Sequence, residues 1–70
     1  MKIVRTERLT HAIDVQSDVY ESDHLHLSIG YDGKLCIYAR SPGGSATAIF
    51  SADQAHEIVQ WLTEQYPTTH

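Results

Sequence analysis

One cysteine, Cys36, is all the chain contains, so no internal disulfide can hold it together, and the staple of most small secreted domains is missing. Apolar runs are short. None approaches the ~18 residues that span a bilayer, and no signal-type apolar stretch follows the basic start, so a soluble cytoplasmic protein is expected. Basic residues are also scarce: five Lys and Arg stand against nine Asp and Glu, a formal net charge of −4. The first ten residues carry +2 (Lys2, Arg5 and Arg8 against Glu7), and the other sixty carry −6 (Lys34 and Arg40 against eight acids). Binding phosphate backbones needs clustered cations, so the acidic body argues against non-specific nucleic-acid binding. No CxxC, HExxH or acidic Ca²⁺-loop pattern occurs, and there is no internal repeat or low-complexity tract.

Seventy residues make one small α+β domain, 1–70. A chain of that size buries only about 60% of the surface it exposes when unfolded, and its core supplies roughly 3–5 kcal/mol. With no staple, the expected extra source of stability is a partner, either a second copy in a homodimer or another protein.

What is present is alternation. His24-Leu25-His26-Leu27-Ser28-Ile29 and Lys34-Leu35-Cys36-Ile37-Tyr38-Ala39-Arg40 each repeat apolar and polar with period two, the mark of half-buried strands. Between them lies Tyr31-Asp32-Gly33. A two-residue Asp32-Gly33 turn would set Leu27 opposite Tyr38. A three-residue turn closed by a left-handed Gly33 would instead pair Ile29 with Leu35, Leu27 with Ile37 and Leu25 with Ala39. A one-residue slip turns a whole strand over, so the second register, which gathers all six apolar residues, is expected. Ser41-Pro42-Gly43-Gly44 then reads as a loop, and Ala46, Ala48 and Phe50 fall on the same face.

Ser51-Ala52-Asp53-Gln54 has the form of a capping box, and Asp53 suits the first turn of a helix. Ala55, Ile58, Val59, Leu62 and Tyr66 make one helical stripe that ends before Pro67, followed by a frayed tail. The helix is expected to lie across the sheet, over small Ala39, Ala46 and Ala48. The first third is less regular. Lys2 to Arg5 suits a short strand, and Leu9, His11, Ile13 and Val15 alternate. One strand interrupted near Glu7 to Thr10 is the favoured reading, with a helix over residues 5–13 competing, and Gln16 to Asp23 is a loop. The expected architecture is an antiparallel sheet of about four strands with one C-terminal helix packed on one face.

The same register sends His24, His26, Ser28, Cys36, Tyr38, Arg40, Thr47 and Ile49 to the other face. Tyr and Arg are enriched at interface centres, so Cys36, Tyr38, Arg40 and Ile49 are candidate interface residues. Trp61 joins them: it sits on the shoulder of the stripe, to wrap a sheet edge or to project as an anchor. His24 and His26 share a strand face and are the candidate metal ligands. Zinc needs three or four donors, Cys36, Asp23 or His11 would have to complete the set, and Arg40 opposite His24 disfavours a cation. Cys36 with His26 is the one Cys/His pair on a single surface, but neither a pocket nor a helix N-terminus lowers the thiol pKa. No catalytic residue and no cofactor is expected.

Several strands leading into a long helix that starts at "IFSADQAHEIVQWL" resemble the layout of the positive-cofactor family of single-strand-binding coactivators, which work as dimers. The resemblance implies a dimeric nucleic-acid-binding alternative. The family's basic, aromatic-studded strands have no counterpart here, where only Lys34 and Arg40 are basic within the sheet, so none of its binding residues carries over. In size and acidity the chain also resembles phage and mobile-element accessory proteins that bind and inhibit a host protein. The expected function is therefore a small, non-catalytic protein-interaction or regulatory module.

Overall fold

The computed structural model describes residues 5–67. Lys2, Ile3 and Val4 of the anticipated first strand, and the tail Thr68-Thr69-His70, lie outside the described residues. Five strands follow one another as an antiparallel meander: β1 (Arg5–Arg8), β2 (Ala12–Gln16), β3 (His24–Ile29), β4 (Leu35–Ser41) and β5 (Gly44–Phe50). Among the described residues one helix, α1 (Ala52–Gln65), follows the strands. The class is α+β, with five strands rather than four. The extra strand arises where one interrupted strand was expected. The chain turns at Leu9 to His11, with the Leu9 N–H donating to the Ala12 carbonyl at 2.8 Å, and β1 folds back on β2 from Arg5↔Gln16 to Arg8↔Ile13. No helix forms over residues 5–13.

The central hairpin takes the bulged register. Ile29 lies opposite Leu35, Leu27 opposite Ile37 and Leu25 opposite Ala39. Gly33 N–H donates to the Gly30 carbonyl and Gly30 N–H to the Lys34 carbonyl, both at 3.0 Å, while Gly33 holds φ +81°. That left-handed residue is the bulge that a three-residue connection needs. Asp32 secures the turn, accepting the Lys34 backbone N–H at 3.1 Å and the Lys34 ammonium at 3.2 Å. The next connection is the tight Pro42-Gly43 pair, with Ser41 opposite Gly44. Between β2 and β3, the Ser17 hydroxyl accepts from the N–H groups of Val19 and Tyr20 at 3.0 Å each, which stabilises the acidic loop locally.

Opposed residues of antiparallel strands share a face, so the registers assemble three apolar rows on one side. They are Ile13–Leu27–Ile37–Ala48, Val15–Leu25–Ala39–Ala46 and Ile29–Leu35–Phe50, the first two flanked in β1 by Arg8 and Thr6. The helix begins beside the third row, where Ala52 approaches Gly33, but it does not lie across the other two. Ala52, Ala55 and Ile58 are half-buried, whereas Val59 is 60%, Leu62 42% and Tyr66 77% exposed. Ala39, Ala46 and Ala48 are exposed as well. The C-terminal helix thus meets the sheet as expected, but through its first turns rather than along its whole stripe.

The connection is short. Ser51 is the single residue between β5 and α1, held extended at φ −67°, ψ 163°. Its side chain accepts the Gln54 N–H while the Gln54 side chain accepts the Ser51 N–H, both at 3.2 Å. This complete capping box satisfies the Ser51 and Gln54 N–H groups and starts the helix one residue after β5. Among the described residues Leu35, at 9% exposure, is the one buried hydrophobic.

Gly33→Ala is expected to cost about 1 kcal/mol in chemical denaturation, because a side chain at positive φ is strained. Asp32 gives a pH test. The Lys34 backbone N–H, then its ammonium, hold the Asp32 carboxyl below the usual carboxylate range. A carboxylate lowered on folding contributes stability above its unfolded pKa and loses it as pH falls through the folded value. Asp32→Asn, which keeps the turn acceptor, is expected to remove that acid-side decline from a pH series of melting curves.

Candidate functional site

The face opposite the apolar rows carries three polar ones. Ala12–Ser28–Cys36–Ile49 lies nearest the Gly33 turn, Glu7–Asp14–His26–Tyr38–Thr47 crosses the middle, and Gln16–His24–Arg40–Ser45 follows. Twist makes this face concave, since a right-handed sheet coils. A groove of about 620 Å³ results, lined by Glu7, Asp14, Gln16, His24, His26, Tyr38 and Arg40 among others.

Cys36, Tyr38, Arg40 and Ile49 fall on this face as expected. Cys36 and Tyr38 are half-buried, Arg40 is exposed and Ile49 is 65% exposed. Cys36 is directly opposite Ile49, and Tyr38 lies between His26 and Thr47. Trp61 is elsewhere. It sits on α1, 58% exposed, so it projects and does not wrap the sheet edge. The interface candidates therefore divide between a sheet face and the helix.

His24 and His26 lie on one face, with Arg40 opposite His24. His26 is engaged across the β2–β3 ladder, its Nδ1 paired with Asp14 Oδ1. Among the described residues no three His, Cys, Asp or Glu side chains converge to hold a metal ion. The Asp14 partner was not visible to sequence reasoning, because the strand that carries it had no assigned register. The one available signal was parity: if Ile13 and Val15 face the core, Asp14 must face away.

The concave face presents a phenol, a guanidinium, two imidazoles and two carboxylates, all reachable from solvent. Cys36 lies between Ser28 and Ile49 in the first row, with no charged residue directly opposite it. No protein family, curated protein or solved structure matches the chain. Among the described residues no helix is long and apolar enough to cross a membrane.

The Asp14–His26 pair has a measurable size. Both side chains are substantially exposed, and exposed pairs contribute about 0–1 kcal/mol. Asp14→Asn is accordingly expected to shift the unfolding free energy by less than about 1 kcal/mol. A much larger loss in urea titration would mean that the pair organises the β2–β3 ladder.

Proposed function

We propose that the chain is a small, non-catalytic interaction module that works as a homodimer and regulates another protein by binding it. One observation carries this reading: a single described hydrophobic is buried, while Ile49, Val59, Trp61, Leu62 and Tyr66 stand exposed. Apolar surface left open on this scale marks contact with other protein. On the concave face Tyr38 and Arg40 supply the residue types that dominate interface energetics, and their strand parity holds them clear of the apolar rows. The helix presents Asp53, Glu57 and Glu64 on the side away from its stripe, a surface suited to a basic target. Small size and acidity support inhibition of a host enzyme or regulator, in the manner of phage and mobile-element accessory proteins.

The nucleic-acid alternative draws little support from the concave face. Arg40 shares it with Glu7 and Asp14, which offset its charge, whereas phosphate binding needs uncompensated cations.

The test is immobilised protein exposed to extract of its native cell, with Tyr38→Ala and Arg40→Ala variants beside it. Removing a central Tyr or Arg typically costs about 2 kcal/mol or more, roughly thirtyfold in affinity. A specific partner should therefore be retained by the wild type and lost from both variants while their circular dichroism is unchanged. Identical capture by all three would contradict the assignment of this face.

A further inference from the structure

We infer that the dimer forms by exchange of helices: the α1 stripe of each copy lies on the apolar rows of the other copy's sheet. The inference rests on the reading of the chain as a self-associating interaction module, and it names which surface does the associating.

Two complementary surfaces stand open in the same chain. One is the stripe, with Val59, Leu62 and Tyr66 exposed along its distal half. The other is the apolar sheet face, where Ala39, Ala46 and Ala48 are exposed and small enough to receive a helix. A depression of about 520 Å³, lined in part by Val15, Leu25 and Ala39, lies on that face. It is at the end remote from the chain's own helix, which starts beside Gly33. The chain leaves its own two surfaces apart, since Val59, Leu62 and Tyr66 stay exposed together with Ala39, Ala46 and Ala48. Ser51 is the whole linker between β5 and α1, extended and held by two capping hydrogen bonds. A second copy related by a two-fold axis meets both needs at once, because each copy donates a helix and accepts one. Short hinges are the usual setting for such exchange.

The areas agree. The chain exposes 6114 Å², against about 4,400 Å² for a compact monomer of its mass. Its radius of gyration is 13.4 Å, against about 11 Å for a compact domain of that length. The excess is about 900–1,700 Å² per copy, the lower figure allowing the residues outside 5–67 the exposure of an unfolded chain. Two copies could therefore bury roughly 1,800–3,400 Å² between them, which spans standard and obligate interfaces. Docking the stripe leaves Asp53, Glu57 and Glu64 on the outer side of the helix, and it leaves Tyr38 and Arg40 free on the concave face.

Sedimentation equilibrium at micromolar concentration should give twice the 7.9 kDa chain mass. Val59→Asp with Leu62→Asp should raise the dimer dissociation constant by about a hundredfold or more, since two apolar anchors are lost, whereas Tyr38→Ala should leave it unchanged. Because the charged double variant could fail to fold, the wild type carries a second readout. In an equal mixture of isotope-labelled and unlabelled protein, filtered NMR spectra should show contacts between Leu62 and the Ala46 or Ala48 methyls of different copies. A folded monomeric wild type would overturn the inference, as would Leu62–Ala48 contacts confined to one copy. A dimer lost on Tyr38→Ala but kept in the double variant would also overturn it, while leaving the self-associating module in place. Conversely, a helix-exchanged dimer whose concave face captures nothing would overturn the proposed function and leave the exchange standing.

Discussion

Gly33 in the left-handed conformation decides what each surface of this protein is. It absorbs one residue at the turn, and that residue sets the parity of β4 relative to β3. Leu35, Ile37 and Ala39 then stand on the side of Leu25, Leu27 and Ile29. Every assignment further along the sheet inherits that parity, because β5 pairs with β4 and β2 with β3. Without the bulge, Tyr38 would join the leucines and Ile37 would face the histidines. An interior of alternating halves would bury polar groups without partners, at a cost of a few kcal/mol each.

From that constraint follow two faces of unlike chemistry on one thin sheet. The first is apolar, and the chain's own helix covers it only beside the third row. The second is polar and concave, with the Asp14–His26 pair at its centre and Tyr38 and Arg40 across from the histidines. A five-stranded meander of 70 residues has too little material to close a core around both. The proposed second copy would complete the apolar face, and the proposed target the concave one.

How much of this was legible in the sequence varies with how local the signal is. The Gly33 bulge and the Ser51–Gln54 capping box each rest on a few adjacent residues, and both appear in the structure as expected. The Leu25–Ile29 and Leu35–Ala39 pairing was legible because only one register gathers six apolar side chains. The turn between β1 and β2 was not, since Glu7 to His11 contains no glycine, proline or asparagine to mark it. Losing that turn hid the fifth strand and with it Asp14, the partner of His26. The stripe of α1 was plain, yet its placement was not. Periodicity tells which side of a helix seeks cover, but not which surface supplies it.

The measurement that bears most directly on the parity of the sheet is the set of cross-strand side-chain contacts in a nuclear Overhauser spectrum of the wild-type protein. The account predicts Leu27 against Ile37, and His26 against Tyr38, with the Gly30 and Gly33 amides protected from exchange. Contacts of Leu27 with Tyr38 and of Leu25 with Arg40 would contradict it, since they would place the aromatic among the leucines and invert both faces.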